Sequence, residues 1–168
     1  MDLVTGATGL VGSHVLLELL SRGRDVRALH RASSDRELVR RVFNHYRPDG
    51  DALFQRIQWV ECEVDDPIGL ADAMHGVEHV YHCAALVSFD ARDTKRMLAV
   101  NIGGTANAVN AALEAGVKAL VHVSSIATIG TAKDGAAMNE DLLFEDERKQ
   151  SPYAISKHPN KPERPTMS

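Results

Sequence analysis

Three glycines near the start of the chain, Gly6, Gly9 and Gly12, constrain its fold more than any other feature. They follow a short apolar, β-branched run and precede a helical pattern at residues 13–22, so they lie in a strand–turn–helix unit. Gly6 can form the tight turn, Gly9 lets backbone approach a pyrophosphate, and Gly12 lets the helix pack close to the strand. The unpaired N–H groups of the helix would then face the phosphates. The unit predicts a dinucleotide-binding turn, and a glycine-rich turn that binds nothing is the alternative.

Strand and helix patterns alternate along the rest of the chain. Strand patterns cover residues 2–5, 25–30, 57–62, 78–84 and 118–125. Helical patterns cover residues 13–22, 35–46, 67–75 and 92–115. In the last helix, apolar residues recur every three or four positions: Leu98, Ile102, Ala106, Val109 and Leu113. Strands joined by crossover helices are parallel, which predicts an α/β fold with a Rossmann-type doubly wound sheet of about five strands, and with ligands at the carboxyl ends of those strands.

The composition is that of one globular domain and argues against several classes of partner. The 168 residues are 44% apolar and 25% charged, and the net charge of −4 argues against nucleic acid as the main partner. No apolar run approaches the ~18 residues of a membrane span, and the chain begins directly in a strand pattern without a secretory signal. We therefore expect a cytoplasmic protein with no membrane partner.

The cysteines and histidines predict no metal site. Cys62 and Cys83 each fall within an apolar strand pattern, which favours buried thiols over a disulfide or a metal pair. The eight histidines show no ligand spacing with carboxylates or cysteines.

The second strand pattern ends at Arg31, and this position indicates which dinucleotide to expect. An acidic residue there would bind a ribose 2′-hydroxyl, and none is present. The guanidinium of Arg31 suits a 2′-phosphate, and Ser33 and Ser34 add hydroxyl donors. The pattern favours NADP as cofactor; NAD is the alternative if Arg31 is only an exposed arginine at a strand end.

A serine, a tyrosine and a lysine later in the chain form a candidate reactive group. Ser125 closes the fifth strand pattern, and Tyr153 and Lys157 are four residues apart, which places them on the same face of a helix. An ammonium beside a phenol favours its ionised form, as a general acid or base near neutral pH requires. A serine hydroxyl can hydrogen-bond the substrate oxygen whose proton the tyrosine moves.

These motifs resemble those of the extended short-chain dehydrogenase/reductase family, which includes NAD-dependent epimerases/dehydratases, dihydroflavonol-type reductases and hydroxysteroid-type dehydrogenases. The resemblance covers residues 1–157. The T-G-A-T-G-x-x-G cofactor motif of the family matches Thr5, Gly6, Ala7, Thr8, Gly9, Leu10, Val11 and Gly12. The pair that holds adenine falls on Glu63 and Val64, the A-A pair near the cofactor on Ala84 and Ala85, and the helix asparagine of N-x-x-G-T on Asn101.

The resemblance implies a role for each member of the reactive group. Tyr153 would be the acid/base, Lys157 would favour its ionisation and hold the nicotinamide ribose, and Ser125 would orient the substrate, with Asn101 as a further member of the catalytic set. The implied enzyme transfers hydride between NAD(P) and a hydroxyl or carbonyl carbon of a small-molecule substrate, as an oxidoreductase or an epimerase/dehydratase. The sequence does not indicate which substrate.

The end of the chain departs from this family. Residues 158–168 contain three prolines, so a helix that begins with Ser151 as cap and Pro152 at its first position must end near His158. We therefore expect an incomplete NAD(P)-binding Rossmann domain over residues 1–157, truncated before its later strands and substrate domain, and an irregular tail over residues 158–168.

An incomplete sheet leaves the fifth strand pattern, residues 118–125, at an edge. Such an edge favours a homodimer or edge-strand self-association. It also leaves two functions open: an active oxidoreductase, or a nucleotide-binding module or truncated remnant without turnover.

Overall fold

The computed structural model describes residues 1–129, 137–139, 142 and 150–158. Within them, five parallel strands form one sheet in the order β3-β2-β1-β4-β5. The strands are β1 (Asp2–Thr5), β2 (Val26–His30), β3 (Gln58–Glu61), β4 (His79–His82) and β5 (Ala119–His122). Each lies inside a predicted strand pattern, and the order reverses between β1 and β4. The predicted doubly wound Rossmann-type sheet is confirmed, and β5 is an edge of the sheet that the structure describes.

The chain divides into two compact units. The sheet unit comprises Met1–Leu86 and Ala99–Val123, and the second unit comprises Val87–Leu98 and Ser124–Ser168. The predicted division into a domain over residues 1–157 and a tail over residues 158–168 stays a prediction, since residues 159–168 lie outside the described ranges.

Helices cover both faces of the sheet because strand residues alternate between two apolar clusters. On one face Val4 and Ala28 pack against helices α1 (Leu10–Ser21), α2 (Arg36–Tyr46) and α3 (Gly50–Gln55). On the other face Leu3 and Val80 pack against α4 (Pro67–Ala73) and α6 (Gly104–Glu114). None of the helices that the structure describes has the length and hydropathy needed to cross a bilayer.

Two of the helices in the sheet unit differ from the sequence patterns. Helix α1 begins at Leu10 rather than at residue 13, because the turn after Gly6 is closed within three residues. Helix α3 was not predicted: it has six residues, too few to show a helical period.

The long helix predicted over residues 92–115 is instead a series of shorter segments. A 3₁₀ turn (Ala91–Asp93) is followed by α5 (Thr94–Leu98), a π-helical segment (Ala99–Gly103) and α6. The apolar residues that recur along this part of the sequence do not mark the buried face of α6: Ala106, Val109 and Leu113 are exposed. The buried positions of α6 are Gly104, Ala108, Ala111 and Ala112.

Close packing explains this correction. A Cβ on Gly104 would lie 2.6 Å from the Cγ2 of Val64, so α6 has no room there for a side chain. The small residues therefore face inward and the larger ones outward. The π-helical segment adds to the difference because it changes the helical phase before α6 begins.

An ion pair between the buried Asp2 and the partly exposed Arg24 lies where β1, β2 and β4 begin. Arg24 donates from Nε and Nη2 to the two carboxylate oxygens of the buried Asp2, at 2.8 and 2.6 Å, and His79 lies 3.0 Å from the same carboxylate. Burial raises the pKa of Asp2, but the hydrogen bonds from Arg24 and His79 outweigh it and hold that pKa below its ordinary value. Asp2 is thus ionised in the native protein at neutral pH.

The second unit contains helix α7 (Pro152–Lys157), which packs against α5 and against a 3₁₀ turn at Ile126–Thr128. The Oγ of Ser151 accepts from the N–H of Ala154 at 3.1 Å, and Pro152 occupies the first turn. The N–H of His158 donates to the carbonyl of Ala154 at 3.0 Å as the helix ends. The predicted start and end of this helix are confirmed.

Candidate cofactor and catalytic site

The glycine-rich turn between β1 and α1 has the geometry that the sequence predicts. Gly6 is left-handed, with a φ of 60°, and a Cβ there would lie 2.6 Å from the backbone nitrogen of Ala84. A Cβ on Gly12 would collide with the carbonyl group of Gly6, whose carbon would be 2.8 Å away. The N–H of Gly9 donates to the carbonyl of Gly6 at 3.0 Å and closes the turn. Only glycine fits at positions 6 and 12 without displacing backbone.

The amino end of α1 fits the pyrophosphate of a dinucleotide. Its N-cap, Gly9, makes no side-chain capping bond, and a Cβ there would meet one backbone oxygen at 3.3 Å. Leu10 and Val11 are exposed in the first turn, whereas Ala7 is buried and Thr8 half-buried before it. The N–H groups of this turn therefore have no side-chain acceptor, and the twelve-residue helix adds its positive dipole end.

A buried histidine holds the carboxyl ends of β1 and β4 together. The Nδ1 of His82 lies 2.8 Å from the Oγ1 of Thr5, and its Nε2 lies 3.0 Å from the Oγ1 of Thr105 on α6. Thr5 also accepts from the N–H of Ala84 at 3.2 Å, which ties the backbone after β4 to the end of β1. The ring of His122 stacks on that of His82 with centroids 5.4 Å apart. No sequence pattern predicts these bonds, because Thr5, His82 and Thr105 are far apart along the chain.

Asn101 fixes the segment that follows the A-A pair. Its Oδ1 accepts from the N–H of Leu86 at 2.7 Å, and its Nδ2 donates to the carbonyl of Leu86 at 2.9 Å. Asn101 is buried within the π-helical segment, a type of irregularity that is frequent at functional sites. Ala84 is half-buried and Ala85 exposed beside it. The structure thus gives Asn101 a positioning contact.

The residues predicted to hold adenine follow β3. The carbonyl of Val64 accepts from the Nδ2 of Asn107 at 3.1 Å, whereas the side chain of Glu63 is exposed. The thiol of Cys62 donates to the carbonyl of Glu63 at 3.3 Å. Burial, with nearby negative charge from Asp66 and Glu63, raises the pKa of that thiol to about 11. Neither Cys62 nor the half-buried Cys83 is in a disulfide.

Arg31 and Ser34 form a closed turn at the end of β2. The N–H of Arg31 donates to the Oγ of Ser34 at 3.1 Å, and the N–H of Ser34 donates to the carbonyl of Arg31 at 2.9 Å. The guanidinium of Arg31 is exposed, and among the described residues no carboxylate pairs with it.

The reactive residues all belong to the second unit. Ser125 begins the 3₁₀ turn, where its Oγ accepts from the N–H of Ala127 at 3.1 Å. Tyr153 is half-buried and Lys157 buried on α7, four residues apart. Ser156 donates its hydroxyl to the carbonyl of Tyr153 at 2.7 Å. The contact between α7 and the 3₁₀ turn brings the helix with Tyr153 and Lys157 against the turn that Ser125 starts.

The predicted residues therefore fall into two groups, one in each unit. The sheet unit holds the glycine-rich turn, the A-A pair and Asn101, and the second unit holds Ser125, Tyr153 and Lys157. Among the residues that the structure describes, no group of three or more histidines, cysteines or carboxylates could hold a metal ion.

Comparison with known proteins agrees with this geometry. The model of the NAD dependent epimerase/dehydratase family matches residues 3–160. The chain belongs to this family. The resemblance inferred from the motifs is confirmed, and the family is one of NAD-binding enzymes with a Rossmann fold.

Individual relatives show how much of such a protein the chain covers. It is 36% identical over 135 residues to "Sterol demethylase protein B" of Methylococcus capsulatus, covering 80% of this chain and 37% of the relative. It is 29% identical over 150 residues to the 3 beta-hydroxysteroid dehydrogenase/Delta 5→4-isomerase of Mycobacterium tuberculosis, covering 86% of this chain and 36% of the relative. The chain thus spans less than half the length of these relatives.

A solved structure with the same fold contains a bound cofactor. The UDP-glucose 4-epimerase of Thermus thermophilus, in complex with NAD, matches with a TM-score of 0.73 and 30% identity. The match covers 93% of this chain and 47% of the epimerase.

Proposed function

We propose that this chain carries the NADP-binding sheet and the acid/base group of an oxidoreductase that acts at a hydroxyl or carbonyl carbon of a small molecule. The observation that carries the proposal is α7: Tyr153 and Lys157 share one face of a capped helix that packs against the turn begun by Ser125. A bound nicotinamide cofactor supplies the hydride. The residues of the chain bind the cofactor, orient the substrate and move the proton.

Each reactive side chain has a chemical task in this proposal. The phenol of Tyr153 exchanges a proton with the substrate oxygen. The ammonium of Lys157, four residues from Tyr153 on the same helix face, would hold the nicotinamide ribose by donating to its hydroxyl groups. The Oγ of Ser125 accepts a backbone N–H and can at the same time donate its own hydrogen to the substrate oxygen. Asn101 acts by holding the backbone at Leu86.

The proposed cofactor is NADP rather than NAD. The glycine-rich turn and the uncapped start of α1 suit the pyrophosphate of either. The preference comes from Arg31, an exposed guanidinium without a carboxylate partner in the described ranges, beside the hydroxyl of Ser34. A guanidinium can form a paired, charge-assisted contact with a 2′-phosphate, which NAD lacks.

Turnover by a Tyr153→Phe variant tests the proton role. We expect loss of measurable turnover with NADPH binding within about threefold of wild type, because only the hydroxyl is removed. Tyr46→Phe is the matched control, since Tyr46 is an exposed tyrosine at the end of α2. NADPH oxidation is followed with ketosteroids as carbonyl substrates, and NADP reduction with hydroxysteroids and UDP-glucose as hydroxyl substrates, chosen from the names of the relatives. Substantial turnover by the Tyr153→Phe variant contradicts the role, and wild-type binding without turnover favours the nucleotide-binding module.

Calorimetric titration with NADP and NAD tests the cofactor preference. Arg31→Gln should weaken NADP binding by about 1.5–3 kcal/mol, the value of a lost charged hydrogen bond, and leave NAD nearly unchanged. Equal affinity of the wild-type chain for both cofactors contradicts the preference.

A further inference from the structure

Polar side chains of one helical stretch, the π-helical segment and the first turns of α6, reach the ends of two strands. Asn101 holds the segment after β4, and the Oγ1 of Thr105 lies 3.0 Å from His82 at the end of β4 itself. The half-buried Asn107 reaches the turn that follows β3: its Nδ2 donates to the carbonyl of Val64 at 3.1 Å. The helix that holds the end of β4 is therefore also bonded to the turn after β3.

Helix α6 holds Val64 at two points. A Cβ on Gly104 would lie 2.6 Å from the Cγ2 of Val64, so the side chain of Val64 packs on the backbone of the helix. Asn107 lies three residues further along, on the same face, and binds the carbonyl of the same residue. Because the peptide group is planar, a fixed carbonyl also fixes the direction of the N–H of Asp65. Helix α6 thus sets both the position and the orientation of the peptide after Val64.

The other hydrogen bonds that the structure describes for residues 63–66, which we call the β3 turn, are local. The thiol of Cys62 and the N–H of Asp66 both donate to the carbonyl of Glu63. The carboxylate of Asp66 accepts from the N–H groups of Ile68 and Gly69 at the start of α4. These bonds shape the turn, and the contacts with α6 fix it relative to the sheet.

The β3 turn lies along the path of a dinucleotide that binds at the carboxyl ends of the strands. The strand order β3-β2-β1 places the turn two strands from the glycine-rich turn, at the same edge of the sheet. The N–H of Cys62 donates to the carbonyl of His30 at 3.0 Å and joins the end of β3 to the end of β2. A nucleotide whose pyrophosphate lies at the amino end of α1 and whose ribose lies beyond β2 has its base at the β3 turn.

We propose that Asn107 is a positioning residue for the adenine end of the dinucleotide. It acts through the peptide after Val64, which it holds so that the β3 turn presents a fixed surface to the base. This inference rests on the dinucleotide site proposed above and adds a residue to it. Without the bond from α6 the turn could adopt other orientations, and ordering it would cost conformational entropy when the base binds. Asn107 reduces that cost in the free protein.

Calorimetric titration of the full chain with NAD and with its two halves, AMP and nicotinamide mononucleotide, tests the proposal. Asn107→Ala should weaken AMP and NAD about three- to tenfold, the effect of one hydrogen bond, and leave nicotinamide mononucleotide within about twofold. Asn110→Ala is the matched control, since Asn110 is an exposed asparagine three residues further along α6. It should leave all three affinities unchanged. These ligands make the test independent of the preference for NADP.

Two further variants separate the hydrogen bond from the size of the side chain. Asn107→Asp keeps the shape, removes the donor and places a carboxylate beside the carbonyl of Val64, so it should weaken AMP at least as much as Asn107→Ala. Asn107→Gln keeps an amide donor on a longer side chain and should recover part of the affinity.

Hydrogen exchange of the free protein measures the positioning without any ligand. In Asn107→Ala and Asn107→Asp, exchange should become faster over residues 62–66 and stay unchanged in the turn from Gly6 to Gly12. Faster exchange over the whole sheet unit would overturn the proposal, because the side chain would then act on global stability.

The titrations distinguish this proposal from the one on which it rests. If the wild-type chain binds neither NAD nor AMP, the dinucleotide site is wrong and the role of Asn107 is wrong with it. If the wild-type chain binds both, and Asn107→Ala binds AMP as tightly as Asn110→Ala does, the site holds and the role of Asn107 is wrong. An equal loss of affinity for AMP and for nicotinamide mononucleotide also overturns that role, because the effect is then not confined to the adenine end.

Discussion

The contact between the glycine-rich turn and the segment after β4 can be measured by substituting Gly6 and two other glycines with alanine. Gly6 combines a φ of 60° with a Cβ position 2.6 Å from the nitrogen of Ala84. Gly23 has a φ of 77° with no atom within 4 Å of its Cβ position. Gly103 has a φ of −63° and equally open space. Gly6→Ala therefore introduces both backbone strain and a collision, Gly23→Ala introduces backbone strain alone, and Gly103→Ala introduces neither.

The structure sets the expected order of the free energies of unfolding. Left-handed backbone costs an alanine about 1–2 kcal/mol, and the stiffer unfolded chain returns about 0.4–1 kcal/mol, so Gly23→Ala should destabilise by about 1 kcal/mol. Gly6→Ala adds a collision with backbone, which typically costs about 1–3 kcal/mol, for a total of about 2–4 kcal/mol. Gly103→Ala should be neutral or stabilise by about 0.5–1 kcal/mol, because alanine favours helix.

Urea unfolding followed by circular dichroism gives these values. The slope of the free energy of unfolding against urea concentration should be the same in all variants. The difference between the free energies of unfolding of Gly6→Ala and Gly23→Ala measures the cost of the collision with Ala84. Gly6→Ala should also weaken NADP binding, whereas Gly23→Ala should not. A Gly6→Ala variant no less stable than Gly23→Ala would refute the claim that the segment after β4 closes against the turn.

Three other predictions concern acid, thiols and the sheet edge. Because the native pKa of Asp2 is lowered, its ionised form contributes stability above its ordinary pKa of about 4, and that contribution is lost as the pH falls through the native value. The Asp2→Asn variant should therefore show a smaller decrease of the urea midpoint with falling pH than the wild-type protein. An equal decrease in the two proteins would contradict this prediction. Because the pKa of Cys62 is raised to about 11, a thiol-reactive dye should label this residue slowly in the native protein at about pH 8 and quickly in urea. The Cys62→Ser variant identifies which part of the labelling comes from Cys62, and rapid labelling of both thiols in the native protein would contradict the prediction. If β5 is a free edge, light scattering over a dilution series should show self-association that Val121→Lys reduces, and a monomer at every concentration would rule out this edge as an interface.

The sequence predicted the elements whose signals are local. The strands follow from apolar, β-branched runs, and α7 follows from a serine cap with proline after it and prolines beyond its end. The turn at Gly6 follows from glycine spacing in front of a helix. In each case the deciding residues are within a few positions of the structure they produce.

The features that were missed depend on residues far apart in the chain or on close packing. The bonds from His82 to Thr5 and Thr105 join three separate elements, and no local pattern marks them. The cation–π contact between Arg36 and Trp59 joins α2 to β3. The inward face of α6 is made of glycine and alanine because of its approach to Val64, so a search for large apolar residues selects the wrong side.

Because α7 is short, its folding affects how tightly a ligand binds to Tyr153 and Lys157. A helix of six residues is unstable by itself, since forming the first turn costs more than the few hydrogen bonds return. Tyr153 and Lys157 therefore keep their spacing through the contacts of α7 with α5 and the 3₁₀ turn, and through the Ser151 cap. Any ligand that touches both side chains selects the folded helix, and its dissociation constant includes the cost of ordering α7. A change at the cap alone can then alter binding without touching the ligand.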